Sequence, residues 1–440
     1  MTGRTVRLAT ALALAAAILT TPAAALANGW VMERGLLGGL FANAEWASPD
    51  VSGHWAVFMV RTDVPGLGPY RIDKVDLRTG EQSTVTNDEV GHIALDGDWV
   101  VYDVDGDIRA RNLATGAVKK VTNDGGAVAE SEPTISGKYV VWEVENDLDT
   151  EVWGRDISTM HPKFLIADGN GSQLLIPQVS GNRVAYRSEL TGFDGQIMVK
   201  TIGSSAAAVN LTGGTGDNFS PSIGDHLVAW TTVNASGKYM IRYHDYDTGQ
   251  TLDGPTSTTF DMADPRVSGD RILYRAANPG GTAMYVFDVR TWRASPGLAL
   301  SFPLPDTSAD ELAGRISGTS CVYLNGGYPT WATLAVPKVT VGSVPTRIRH
   351  HGHIHLSGTV SDQGIRIGKA RLRIEKYSGG RWLLVRTITA SSNGSYSYQT
   401  PTLHAKTKFR VAYDGMLVPL GAGISQHFSA VSAVRTGWPY

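Results

Sequence analysis

Three groups of residues in this sequence have types and spacings that could do chemistry. The first is His350-His351-Gly352-His353-Ile354-His355. On a strand, His351, His353 and His355 share one face, because side chains alternate with period two. Imidazoles at that spacing can ligate Zn²⁺. No cysteine stands nearby and Asp362 is the nearest acid, so a plain polar strand face is the competing reading. The second group is acidic. Asp103, Asp105 and Asp107 are followed by Glu143, Glu145, Asp147, Asp149 and Glu151. Carboxylates at alternate positions offer the hard oxygens that Ca²⁺ takes. Asp105-Gly106 is equally a two-residue hairpin turn, and the spacing is not that of an EF-hand loop. The third group is basic. Arg371, Arg373, Lys408 and Arg410 alternate along segments of strand character and would form a cationic surface suited to an anionic cell-wall polymer.

The sequence motifs of common catalysts are missing. There is no His-Glu-x-x-His, no Gly-x-Ser-x-Gly, no phosphate-cradling Gly-Lys-Ser/Thr loop and no Cys-x-x-Cys. The single cysteine, Cys321, lies in Cys321-Val322-Tyr323, which reads as a core strand. With one cysteine no internal disulfide forms, and a buried thiol is inert.

What must position these groups is an internal repeat. Pro49-Asp50-Val51-Ser52-Gly53 returns as Ile93-Ala94-Leu95-Asp96-Gly97, Pro133-Thr134-Ile135-Ser136-Gly137 and Pro177-Gln178-Val179-Ser180-Gly181. It returns again as Pro221-Ser222-Ile223-Gly224-Asp225, Pro265-Arg266-Val267-Ser268-Gly269 and Gly314-Arg315-Ile316-Ser317-Gly318. An apolar-aromatic pair such as Val141-Trp142 follows each copy. The phrase ends are spaced by 44, 40, 44, 44, 44 and 49 residues. A period near 40–45 with strand-like content marks the blades of a β-propeller. Each copy parses into four strands, with a Ser-Gly turn after the first and a Thr-Gly turn (Thr79-Gly80, Thr115-Gly116, Thr248-Gly249) before the fourth. Seven blades are favoured over six. The seventh lacks a fourth strand of its own, and an N-terminal segment around Trp30 to Arg34 is expected to complete it and close the ring.

The quoted phrases resemble the TolB-like and WD-type β-propeller repeat family over residues 45–336. The resemblance implies that the loops before the first strand and after the second share the ligand-binding face, and that such propellers serve as interaction platforms. On that placement Ser48, His92, Glu132, Ile176, Ser220, Asp264 and Ala313 stand near the channel mouth. His92, Glu132 and Asp264 would converge there on a ligand.

The flanks complete the organisation. Residues 1–27 read as a signal peptide, with Arg4 and Arg7, an apolar run from Leu8 to Ile18, and an Ala25-Leu26-Ala27 cleavage site. No later segment is long and apolar enough to span a membrane. Residues 28–338 form the propeller. Residues 339–440 show two-residue alternation (Ala370, Leu372, Ile374) and hairpin turns at Gly379-Gly380 and Asn393-Gly394, which predicts an immunoglobulin-like β-sandwich. Gly380-Arg381-Trp382 and Ser392-Asn393-Gly394-Ser395-Tyr396 are similar to accessory modules of secreted bacterial proteins. The propeller segment carries 24 Lys and Arg against 38 Asp and Glu, and the sandwich carries 13 against 3. That asymmetry suggests an anionic surface as partner, or docking of one domain on the other.

The expectation is therefore an all-β, secreted or envelope-associated, non-enzymatic binding protein. Its propeller would take a protein or glycan ligand, and its basic sandwich would hold it at the envelope. No cofactor is required, although Ca²⁺ or Zn²⁺ would suit the clusters above. Nucleic acid is not an expected partner, since the chain bears an export signal and no reading motif. The alternatives are a polysaccharide lyase or glycosidase, which needs paired carboxylates at the mouth, and a self-assembling surface-layer component.

Overall fold

Tyr139-Val140-Val141-Trp142 is a run of β-branched and aromatic residues, which fit a pleated surface, and Tyr139–Glu145 is a strand. Its residues 140–144 are all buried, so both faces are covered. In six of the seven repeats the turn that ends the first strand places a glycine, Gly53, Gly97, Gly137, Gly181, Gly269 or Gly318, at φ between +57° and +59°. Glycine reaches that region without steric cost, which is why the repeat carries it there.

The computed structural model describes residues 35–36, 45–61, 70–125, 128–146, 149–190, 194–214, 216–278, 281–290, 302–303, 314–325, 328–333, 338–344, 347–348, 352–362, 365–414, 416–420, 423–427 and 430–439. They fall into two compact units, one reaching to Ala332 and the other starting at Thr333. The signal-peptide segment, Asp147, Ala313, His351 and the expected closing strand Trp30–Arg34 lie outside the described residues.

The first unit is a propeller of seven four-stranded sheets. The inner strands of blades 1 to 7 are Glu45–Ser52, Ile93–Asp96, Ala129–Ser136, Gln173–Ser180, Asn218–Ile223, Asp261–Ser268 and Gly314–Ser317. Each neighbours the inner strand of the next blade, and that of blade 7 neighbours that of blade 1. The ring is closed by an N-terminal strand, Gly35–Leu36, which supplies the outer position of blade 7. Gly35 pairs antiparallel with Trp331, and Leu36 with Thr330. Between blades the packing is apolar. Val101, Ile108 and Ala110 of blade 2 lie against Val140, Trp142 and Val144 of blade 3.

Proline sets the shape of the inner strands. In blades 1, 3, 4, 5 and 6, which carry it, the strand begins three to four residues before the proline and a bulge falls at the Xaa-Pro step. Proline has no N–H to give a ladder, so a bulge is where a strand tolerates it. The residue before each proline is left-handed: φ is 41° at Ser48, 51° at Glu132, 53° at Ile176, 50° at Ser220 and 55° at Asp264. A non-glycine residue held there costs about 1–3 kcal/mol. The inner strands of blades 2 and 7, which lack the proline, are described as only 4 residues long.

Side chains couple successive inner strands. Ser52 Oγ accepts from Gly97 N–H at 2.9 Å, Asp96 Oδ2 from Gly137 N–H at 2.5 Å, Ser136 Oγ from Gly181 N–H at 3.0 Å and Ser268 Oγ from Gly318 N–H at 2.7 Å. The Ser-Gly phrase is thus both a hairpin turn and an interblade clasp.

The second unit is a two-sheet sandwich. One sheet holds Lys338–Val341, His355–Asp362, Ile365–Arg366 and Ser395–Gln399. The other holds Arg347–Ile348, Arg435–Pro439, Thr407–Tyr413, Arg371–Ser378 and Arg381–Thr389. Leu356, Val360 and Tyr396 of the first sheet share a core with Leu372, Ile374, Phe409 and Val411 of the second. The immunoglobulin class remains an expectation. Cys321 is a free, buried thiol whose pKa burial pushes up to about 12.

Asp96 clasps two neighbours, since it also takes Ser52 Oγ at 3.4 Å. Asp96→Ala should lower propeller stability by about 1–2 kcal/mol, the worth of a charge-assisted hydrogen bond on a partly exposed site. A urea midpoint indistinguishable from wild type would show that the clasp contributes nothing.

Candidate functional site

The blades meet around a cavity of about 340 Å³, and of the left-handed residues before proline Ser48 and Glu132 reach its wall. Ser48, His92 and Glu132 line its mouth. His92 sits between two acids, with Nδ1 2.9 Å from Asp103 Oδ2 and Nε2 2.9 Å from Glu132 Oε1. The hydrogen bonds that the imidazole donates to Asp103 and then to Glu132 raise the His92 pKa to about 10. Asp103 Oδ1 also accepts from the N–H groups of Gly91 and His92. Asp264 is held elsewhere. Arg275 Nη2 lies 2.9 Å from its Oδ2, and Ser220 Oγ donates to its Oδ1 at 3.1 Å.

A further layer stands behind the mouth. It is formed by the residue after the aromatic of each second strand, where Asp103, Glu143, Thr231 and Arg275 occupy equivalent places in blades 2, 3, 5 and 6. Glu143 accepts from the bulge N–H of Ile176 in the next blade, and Thr231 Oγ1 from that of Asp264. Glu143 is buried, and burial chiefly, with the Glu132 charge adding, raises its pKa to about 7. This layer helps two of the strained bulges persist, since neighbouring side chains hold the N–H groups of Ile176 and Asp264.

Below the mouth, the variable position of the repeat lines the channel. In ring order it is Asp50, Ala94, Thr134, Gln178, Ser222, Arg266 and Arg315. None of these was singled out from sequence. The signal was present, as the one polar, unrepeated position inside an otherwise fixed phrase.

The other candidates separate. Asp103 serves His92, Asp105 and Gly106 form the hairpin turn with φ of 53° and 77°, and Asp107 Oδ1 accepts from the N–H groups of Asp124 and Gly125. Among the described residues the acids that approach within 4.8 Å as a trio are Asp107, Asp124 and Glu130. Lys163 Nζ already stands 2.9 Å from Asp124 and 2.9 Å from Glu130. An ammonium therefore fills the cation's place. His353 and His355 are exposed, while Ile354 and Leu356 between and after them are buried. His353 Nδ1 bonds Thr400 O at 2.8 Å and His355 Nε2 bonds Ser397 Oγ at 2.9 Å. Of the basic group, Arg373 and Arg410 clamp the carboxylate of Glu375, which is 2% exposed, at 2.5 and 2.6 Å. Arg371 and Lys408 are exposed, and Lys408 Nζ lies 5.6 Å from the Tyr377 ring centre.

No family model matches the chain. No curated protein matches it either. Solved structures do. The β-propeller domain of the Trilobed protease from Pyrococcus furiosus superposes with a TM-score of 0.50 at 9% identity, over 66% of this chain and 94% of that one. That domain has an open velcro topology, whereas here Gly35–Leu36 closes the last blade. Acylaminoacyl peptidase from Pyrococcus horikoshii superposes with a TM-score of 0.51 at 10% identity, over 76% of this chain and 60% of that one. TolB from Acinetobacter baumannii gives 0.37 at 14% identity, over 60% and 59%, too loose to carry an argument. At these identities the likeness establishes the propeller fold and nothing about activity. Among the described residues no helix is long and apolar enough to cross a membrane.

Two pH slopes follow. Both groups bind protons more tightly folded than unfolded, so both lose stability as pH rises. The His92 contribution is complete below its ordinary value of 6.5 and gone by about 10. That of Glu143 is complete below 4.5 and gone by about 7. In urea midpoints measured against pH, His92→Gln should flatten the alkaline slope and Glu143→Gln the acidic one. Unchanged slopes would count against the arrangement. In the sandwich, Glu375→Ala should cost about 3 kcal/mol by leaving the partly buried Arg410 unpaired, while Arg373 keeps Asp414 at 2.7 Å. Arg371→Ala should change stability by less than about 0.5 kcal/mol. Equal midpoints for the two variants would return Arg373 and Arg410 to the surface.

Proposed function

We propose that this chain is a secreted, non-enzymatic binding protein whose propeller mouth receives a protein or glycan ligand, as in a TolB-like platform. The observation that carries this is the pairing at the mouth. His92 is paired there with Asp103 and Glu132, and Asp264, away from the cavity, with Arg275. A glycosidase needs two carboxylates facing one bond, and Glu132 and Asp264 are each committed to a different cation. Held polar groups on a rigid ring instead favour recognition, because little ordering remains to oppose association. The signal peptide supports export. The sandwich serves in this reading as the envelope-proximal module, with Arg371 and Lys408 as its free charges.

The test is a random peptide library and a neutral glycan array, both presented to the full chain. Enriched ligands should lose about tenfold or more in affinity when Glu132→Arg places repulsion at the mouth. Slow cleavage of any bound ligand would move the enzymatic reading ahead. Binding that ignores Glu132→Arg would place the ligand elsewhere.

A further inference from the structure

The channel ring contains two arginines and one acid. Arg266 and Arg315 come from blades 6 and 7, and Asp50 from blade 1. Arg315 Nε lies 4.0 Å from Asp50 Oδ1, a loose pairing. Asp50 spends its oxygens on backbone, accepting from Val51 N–H at 2.8 Å and Leu95 N–H at 2.8 Å. The Arg266 Nη1 group donates to its neighbour Pro265 O at 2.9 Å, and its buried Nε donates to nothing. Across the ring, the buried hydroxyl of Thr134 also has no partner. Polar groups removed from water need hydrogen bonds, and a buried charge needs an opposite one.

We propose that the propeller channel is a binding site for a small hydroxylated monocarboxylate, its carboxylate taken by Arg266 and Arg315 and a hydroxyl by Thr134. At this layer two guanidinium groups face one carboxylate, and with Asp96, Glu132 and Asp225 also lining the cavity the site suits an anion of a single charge. The fork of an arginine matches a carboxylate in two parallel hydrogen bonds. The cavity, about 340 Å³, lies at the small end of ligand pockets. Burial, then the charge of Arg315, push the Arg266 pKa down to about 9, an electrostatic cost that an anion would relieve. A bound water could satisfy Thr134, but a guanidinium fork pairs more strongly with a carboxylate than with water.

The site goes beyond the platform reading, and the peptide and glycan screen can fail with it intact. Calorimetry on the full chain tests it with galacturonate, its neutral counterpart galactose, and inorganic phosphate. Galacturonate should bind, and galactose should not. Arg266→Gln and Arg315→Gln should each weaken galacturonate by about tenfold or more, and Thr134→Val should weaken it less. The exposed Arg371→Gln should leave it unchanged. Each variant is used only if its thermal midpoint shows a folded chain. If neither arginine variant folds, the galacturonate-to-galactose contrast and Thr134→Val decide. No galacturonate binding at about 10 mM, well above useful affinity, would overturn the proposal. So would tighter binding of phosphate, or affinity indifferent to both arginines.

Discussion

An inner strand of a propeller blade has a ladder on one edge only. Its other edge faces the axis, where no strand pairs with it, and exposed edges invite association with other chains. The whole molecule depends on how those free backbone groups are satisfied. Here side chains do it. Gly97 and Gly137 N–H groups go to Ser52 and Asp96, while Leu95 and Val267 N–H groups go to Asp50 and Ser222. Each bond runs from one blade to the next, so the same contacts that satisfy the backbone also set the spacing of the ring. The glycine of the clasp is obligatory in a second way, because its φ is closed to most other residues.

This constraint links fold to site. A position that must offer an acceptor to the next blade is a position whose side chain lies at the channel wall. Asp50 and Ser222 meet the demand. Thr134, Arg266 and Arg315 stand at the same repeat position and serve no neighbouring backbone. Two of those three are cations, which cannot accept a hydrogen bond at all. Where the fold releases a position from its structural duty, as at Ala94, Thr134, Gln178, Arg266 and Arg315, chemistry is free to vary, and among these Thr134 and Arg266 are left with a hydroxyl and an N–H unspent.

The repeat phrase made the blade architecture legible because its glycines and serines are structural necessities that recur wherever a blade recurs. The proline was legible only in part. It marked the inner strand, but the strand runs through it, since a bulge removes the conflict between proline and ladder. The place of His92 at the mouth followed from the repeat, yet its partner Asp103 read as part of an acidic hairpin. Eleven-residue separations across a turn of strands are invisible to spacing (His92 and Asp103 meet only when the first two strands of blade 2 pair). The basic sandwich misled in the same way. Arg373 and Arg410 alternate outward as expected, but Glu375 lies on the same outer side and draws both charges onto itself, with Asp414 taking a second contact from Arg373.

The seam of the ring deserves the same physical accounting. Blades 6 and 7 are clasped through Ser268 and Gly318, but among the described residues no such bond joins Ser317 to Gly53. The described N-terminal strand adds two paired residues, Gly35 and Leu36. What joins blade 7 to blade 1 is apolar: Val322, Leu324 and Trp331 pack with Val51, Phe58 and Val75. Apolar packing is strong but non-directional, so it fixes contact without fixing the register of the channel wall. Asp50 and Arg315 face each other across this seam at 4.0 Å, longer than a tight ion pair. The ring is therefore loosest in its polar contacts where its positive charge is concentrated. An anion seated between Arg266 and Arg315 would add a directional contact between blades 6 and 7, next to the seam that lacks one.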